Sequence, residues 1–299
     1  MKTNYSQLNY TEIQSNPILD IGARLWEKDR SEAFKTCYKA MRFVDNLVDN
    51  RKSTGEKISE EEKAHYISLI NNWESNTALM QGPFQKELLD TVKKFDIPQW
   101  PWKKFANSMI YDLNHDGFDT FQDFLDYSEG AAVAPAAIGV HICSAKKENG
   151  KYIEPKFDVV EFTRPMAYFA YIVHIIRDFE KEVKSNLNYF SDDLMKENNL
   201  DFEKFREIAS GGKIPAGFRA LMKKYYELAE KYQKEARKTF DKTLPLLDSQ
   251  YRMSIEVIYS LYSQVFEKID VANGTFSAAE LNPTPEEIKE RIDLTISKV

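Results

Sequence analysis

An all-α fold is predicted by three features of this sequence. Helical periodicity of the apolar residues dominates, strand-like alternation bounded by Asn-Gly or Asp-Gly turns does not stand out, and the 11 glycines and 11 prolines are scattered. A chain of 299 residues can bury a substantial core, and no linker of useful length divides it, so a single domain over residues 1–299 is expected.

The elements follow in order. After a polar lead, MKTNYSQLNYTEIQSN, which lacks the apolar core of a signal peptide, Ile18 to Trp26 and Glu32 to Asn50 read as two helices broken around Lys28 to Ser31. Arg51 to Lys57 is a polar loop, and Ser59 with Glu62 forms a capping box for a helix through Trp73. A helix over Gln85 to Phe95 stops at IPQWPW, where Pro98 and Pro101 withdraw backbone donors. Trp102 to Leu113 leads into NHDGFDTF and a helix from Thr120, capped with Asp123. The small-residue run GAAVAPAAIG, a solvent-facing insertion KKENGKYIEPK and a second acidic helix come next. Helices over Asp201 to Ser210, Ala216 to Lys242 and Asp248 to Ile269 follow. Thr284, Pro285 and Glu287 start the last one with cap, first-turn proline and capping box in order.

Composition narrows the function. The net charge of −6, from 41 basic and 47 acidic residues without a basic block, gives no electrostatic basis for binding nucleic acid. Aromatic residues make up 13% of the chain, a share that serves either an aromatic-rich core or the enclosure of a long apolar ligand. The only cysteines, Cys37 and Cys143, form no CxxC pair, which argues against a disulfide framework or a zinc site and for a reducing cytoplasm. The weakly polar stretches Ala131 to Ala145 and Met166 to Ile176 fall short of the roughly 20 residues of a membrane span. A soluble protein is expected, with peripheral contact to a lipid surface left open.

Two helices carry the chemistry. In AFKTCYKAMRFVDNLVDN, residues Tyr38, Arg42, Asp45 and Asp49 fall at i, i+4, i+7 and i+11, stacking a phenol, a guanidinium and two carboxylates on one face. In AYIVHIIRDFEKE, residues Tyr171, His174, Asp178 and Glu182 repeat the layout at i, i+3, i+7 and i+11, with Arg177 beside the first acid. Mg²⁺ takes one or two protein carboxylates and fills its octahedron with phosphate and water, so two acid pairs on facing helices suit Mg²⁺ and a polyphosphate. Arg42, Arg177 and Lys181 would neutralise the remaining phosphate charge. A lone DxxxD also occurs on ordinary solvated helix faces; here both pairs lie on otherwise apolar helices. If the acids repel one another in an empty cage, Asp45→Ala or Asp178→Ala should abolish turnover and leave the metal-free fold intact or slightly stabilised.

Other signals are weaker. Asp112, Asn114, Asp116, Gly117 and Asp123 match most of an EF-hand loop, but the last position lacks the bidentate Glu and no second loop pairs with it. His174, among Ile172, Val173, Ile175 and Ile176, is either a hydrogen-bonded core residue or a ligand. No nucleophile triad and no GxGxxG loop is present.

The strings YKAMRFVDNLVD and YIVHIIRDFEKEVKSNLNYFSDDL resemble the signature helices of the phytoene and squalene synthases, the head-to-head prenyl diphosphate synthases. YDLNHDGFDTFQDFLDYSEGAA is similar to the family's central helix pair and VIYSLYSQVFEKI to its aromatic C-terminal helix, so the resemblance runs over about Leu19 to Ile269, with 270–299 as a C-terminal extension. It implies an isoprenoid-synthase-like helical bundle around a central cavity. It also implies Mg²⁺ held by Asp45, Asp49, Asp178 and Glu182, diphosphate contacts from Tyr38, Arg42 and Arg177, and farnesyl or geranylgeranyl diphosphate as substrate. The implied reaction ionises one prenyl diphosphate to an allylic cation, which the other's double bond attacks, with diphosphate released. Departures from the pattern are Asn46 for Asp, Tyr171 for Gln, His174 for a metal-binding Asn, Glu182 for Asp and Leu187 for Arg. His174 is expected to contact the leaving diphosphate. Cyclisation of a single prenyl diphosphate, or a binding role without catalysis, are the alternative functions.

Overall fold

The structure, a computed structural model, describes residues 18–76 and 83–298. The expected polar lead over residues 1–16 lies outside them. Helix α1 (Ile18–Ala23) is followed by α2 (Lys28–Lys52), so the break falls over residues 24–27 and not at Lys28 to Ser31. Helix α2 extends as one rod because Ala33, Cys37, Ala40, Met41, Val44 and Val48 make one buried face over its length. Helices α3 (Glu60–Asn76), α4 (Pro83–Phe95) and α5 (Trp100–Asn114) follow. The Ser59–Glu62 capping box forms as expected, Glu62 N–H donating to Ser59 Oγ at 3.2 Å and Ser59 N–H to Glu62 Oε2 at 3.0 Å. Pro101 does not stop a helix; it sits in the first turn of α5, where its missing N–H costs nothing.

The Thr120–Asp123 capping box opens α6 (Phe121–Ser128), which passes through a π-helical turn (Glu129–Val133) into α7 (Ala134–Ser144). The π turn lies tight against α5: a Cβ on Gly130 would come within 2.1 Å of the Lys104 carbonyl oxygen. The insertion is not helical. It folds into an antiparallel hairpin of β1 (Lys146–Glu148) and β2 (Lys151–Ile153), with Asn149 and Gly150 both at positive φ in the two-residue turn. Nor is it wholly solvent-facing, since Tyr152 is buried and stacks on Phe95 with ring centroids 4.2 Å apart.

Helix α8 (Val159–Arg177), capped by the Asp158 carboxylate, ends at Asp178 (φ −94°, ψ 6°), and α9 (Phe179–Lys184) restarts beyond it. The second acidic helix is therefore two helices. Short helices α10 (Asp192–Glu197) and α11 (Phe202–Ala209) precede the long α12 (Ala216–Thr243) and α13 (Ser249–Glu267). The chain closes with α14 (Ala278–Leu281) and α15 (Pro285–Ile296), the latter opened by the Thr284–Glu287 capping box. Helices α8 and α12 make the most extensive contact, α13 packs against α1, α8 and α15, and α2 lies across α5 and α7. Between α1, α2, the π turn, α7, α8 and α13 a cavity of about 1100 Å³ is left open. No helix among the described residues is long and apolar enough to cross a membrane.

Candidate active site

Every residue singled out on the two acidic stretches reaches this one cavity. Tyr38, Arg42, Asp45 and Asp49 line it from α2; Tyr171, His174, Arg177, Asp178, Lys181 and Glu182 line it from α8 and α9. Placement on α2 follows from helical spacing, because the buried apolar face fixes the rotation that turns the acids inward. On the other wall the helix ends at Asp178, so Glu182 is presented by a second, separately started helix.

The acids are not alike. Arg42 pairs with Asp45 and also reaches Asn46 Oδ1 at 2.8 Å. Asp178 is held by Arg177 through two parallel hydrogen bonds of 2.7 and 2.8 Å, and His174 Nε2 lies 2.9 Å from its Oδ2. Lys181 Nζ meets Glu182 Oε1 at 2.9 Å. Burial opposes ionisation of Asp178, but the hydrogen bonds from Arg177 and His174 outweigh it and hold the carboxyl far below the usual range. This corrects the expectation for Asp178: its carboxylate stabilises the metal-free fold. Asp45 and Asp49 go the other way: burial raises Asp45 despite its pairing with Arg42, and Asp49 is pushed up to about 7 by burial and then by the charges of Asp45, Asp112 and Glu182. Glu182 acts on Asp49 across the gap, which places the two walls within electrostatic reach.

His174 is not core filling, since its side chain is 43% exposed at the cavity wall. Its contact in the structure is Asp178, one turn away. Leu187, in the position where the family carries Arg, is buried and supplies no cation to the mouth. Behind the acids stand lining residues that the sequence did not single out. Tyr127 and Tyr189 border the cavity, and Tyr127 OH donates to the buried Asp112 at 2.5 Å, with Lys52 Nζ 3.4 Å from the same carboxylate. Asp112 and Tyr127 do lie in the quoted string YDLNHDGFDTFQDFLDYSEGAA; what singles them out is a contact across 15 residues. Asp112 is engaged by these partners, not by a Ca²⁺-loop arrangement.

Whether Mg²⁺ fits can be judged from the charges. Among the described residues no three His, Cys, Asp or Glu side chains converge closely enough to hold a metal by themselves. Mg²⁺ needs only one or two protein carboxylates when phosphate supplies further oxygens, and Asp49, raised by burial and then by its acidic neighbours, lies in a local excess of negative charge. The donors are hard carboxylate oxygens, so the residues fit the ion. Away from this mouth the cavity is mostly apolar, walled by Phe34, Ala132, Ala136, Met166, Ala170 and Ile258 among others, with Thr163 and Gln264 as polar exceptions. Ordinary ligand pockets run about 300–1,000 Å³, so the volume suits a large or double occupant.

Comparison with known proteins gives a consistent result. The model of the family described as squalene/phytoene synthase matches residues 21–287. Phytoene synthase 2, chloroplastic, of Solanum lycopersicum is 23% identical over 257 residues, covering 84% of this chain and 76% of that protein. Phytoene synthase 2 of Zea mays is also 23% identical, and the chain spans 58% of its length. A dehydrosqualene synthase solved with a ligand superposes with a TM-score of 0.68 at 13% identity, over 97% of this chain and 95% of that one. The squalene synthase HpnC of Alicyclobacillus acidocaldarius superposes with a TM-score of 0.60 at 12% identity, over 89% of this chain and 88% of that one.

Proposed function

The chain belongs to the squalene/phytoene synthase family, and from that premise we propose that it joins two prenyl diphosphates head-to-head with release of diphosphate, in a Mg²⁺-dependent reaction. The observation that carries this reading is the convergence of Asp45, Asp49, Asp178 and Glu182 from two walls on the polar mouth of a mostly apolar cavity. Bound Mg²⁺, held by these carboxylates, would supply Lewis acidity toward the departing diphosphate oxygens.

The chain's own residues do the rest. Arg42, Arg177 and Lys181 offer cations to diphosphate oxygens, and the binding of metal by Asp45, Asp178 and Glu182 would release these cations from their present partners. The raised Asp49 carboxyl gives up its proton as positive charge arrives. Inside, aromatic faces such as Phe34, Tyr127 and Tyr171 meet an allylic cation, and the apolar walls exclude the water that would quench it. Farnesyl and geranylgeranyl diphosphates are the substrate class, their chains lying in the apolar part.

The test is incubation of the pure protein with Mg²⁺ and C10, C15 or C20 prenyl diphosphates, followed by analysis of lipid and diphosphate. The expected result is a coupled C30 or C40 lipid with diphosphate released. Diphosphate release with only single-chain products would replace coupling by one-substrate ionisation. Binding without release would leave a non-catalytic role.

A further inference from the structure

We propose that Lys52 is a positioning residue for the reaction: acting through Asp112, it fixes the hydroxyl of Tyr127, so that this ring meets the allylic cation in its electron-rich form. The inference rests on the prenyl diphosphate reading above. Lys52 stands in the last turn of α2, three residues after Asp49, yet it is placed unlike the cations of the mouth. Arg42, Arg177 and Lys181 line the cavity, and so does Tyr127, whereas Lys52 and Asp112 do not. The Lys52 side chain is 11% exposed, and its Nζ donates to the His115 carbonyl at 2.8 Å and to Asp112 Oδ1 at 3.4 Å. Both tethers lie at the C-terminal end of α5 and direct the ammonium there.

Asp112 is the link. It is buried in the last turn of α5, and its two oxygens are divided: Oδ1 faces Lys52, and Oδ2 accepts the Tyr127 hydroxyl at 2.5 Å. Accepting at both oxygens belongs to an ionised carboxylate, since a protonated one turns an oxygen into a donor. Burial works against that charge, and the attraction of Lys52 is the largest influence opposing burial. Without the ammonium the buried carboxyl would take a proton and no longer demand the one on Tyr127. With the ammonium in place, the Tyr127 O–H has one direction. Its ring is confined as well, being 5% exposed, with the ring centroids of Phe118 and Tyr111 at 5.1 and 5.8 Å. A phenol that donates to a carboxylate carries more negative charge than one that donates to a neutral group, and a cation is drawn more strongly to the face of such a ring. Lys52 and ionised Asp112 together carry no net charge. Loss of both charges at once therefore alters the field at the mouth little.

The experiment separates binding from chemistry. Turnover of C15 and C20 prenyl diphosphates with Mg²⁺, read as diphosphate release, and affinity for a non-ionisable C15 analogue are measured in wild type, Lys52→Met, Asp112→Asn, Tyr127→Phe and the double variant Lys52→Met/Tyr127→Phe. Lys52→Met should lower kcat about tenfold, the scale of one cation–π contact away from water. The affinity for the analogue should stay at the wild-type value, because the interaction lost is made only with the cation. Asp112→Asn keeps an acceptor but not the charge; it should match the Lys52→Met loss and keeps the test decisive if Lys52→Met does not fold. In the Tyr127→Phe background the Lys52 substitution should cost nothing further, since the hydroxyl through which it acts is gone. Additive losses in the double variant, an unchanged kcat in Lys52→Met and Asp112→Asn, or a loss of analogue affinity that accounts for the lost turnover overturns the inference alone. Wild type that releases no diphosphate from either substrate overturns the prenyl diphosphate reading and this inference with it.

Discussion

Asp49 carries the unbalanced charge of the mouth. Its carboxyl is raised from an ordinary 3.8 to about 7, so between those values the folded chain holds a proton that the unfolded chain has lost. Stability must therefore fall as pH rises through that window. Asp49→Asn removes the cost: the metal-free variant should exceed wild type by on the order of 1–2 kcal/mol at pH 8, with solvent at the mouth screening the rest, and match it near pH 4. Urea denaturation at both pH values checks this; equal wild-type and variant curves at pH 8 would contradict it. Asp178 has the opposite sign. Its carboxyl is lowered by Arg177 and His174, so it contributes stability above pH 3.8 that is lost as pH falls toward the folded value. Asp178→Ala, which leaves a largely buried guanidinium without its carboxylate, should lose about 1–3 kcal/mol at pH 7 and little in strong acid. Unchanged metal-free stability at pH 7 would restore the expectation of mutual repulsion.

At the scale of elements, local chemistry set the boundaries where it was self-contained. The capping boxes Ser59–Glu62, Thr120–Asp123 and Thr284–Glu287 form between residues three apart and were legible as spacing. The hairpin was legible in principle through Asn149-Gly150, but its strands are too short to show alternation. The π turn was not legible, because it sits where Gly130 lies tight against α5, a contact that sequence spacing does not show. Gly130→Ala forces a Cβ onto the Lys104 carbonyl and Ser108 Oγ and should cost about 2–3 kcal/mol. Gly150→Ala meets no atom within 4 Å and pays only for a φ of +80°, about 1 kcal/mol. Chemical denaturation of both variants orders the two costs; a Gly130→Ala loss no larger than that of Gly150→Ala would mean the π turn relaxes freely.

For the molecule as a whole, the mouth joins walls that are otherwise held apart. One remote tie lies well away from it: the buried Arg30 donates to the Ala145 carbonyl at 2.7 Å and sits 4.8 Å from the ring centroids of both Tyr152 and Tyr251, linking α2, α7, the hairpin and α13. Between the acidic walls the contact is slighter: Asn186, just beyond α9, donates from Nδ2 to the carbonyl of Ser53, just beyond α2, at 3.3 Å. Mg²⁺ with inorganic diphosphate should supply a further tie. A ligand pair that binds only the folded state at 100 times its Kd stabilises it by about 2.7 kcal/mol. The thermal midpoint should rise with both components present, less with Mg²⁺ alone, and the rise should shrink in Asp45→Ala. An equal rise in that variant would place the ligand elsewhere.

The sequence by itself determined the helices, most of their caps and the two acid pairs, because each depends on residues within a few positions of one another and on the 3.6-residue period. It also placed the lining side chains of α2, since one buried face dictates the orientation of the rest. Which acid is paired and which is repelled was decided only in the tertiary structure. Asp49 owes its state to burial first and then to the charges of Asp45, on its own helix, and of Asp112 and Glu182, on other helices, while Asp178, opposed by burial, is held by Arg177 and His174, one and four positions before it. The C-terminal segment likewise joins the cavity through Glu180, some 98 residues before Ala278. Periodicity carries no information about such partners; charge and burial acting across the gap settle them.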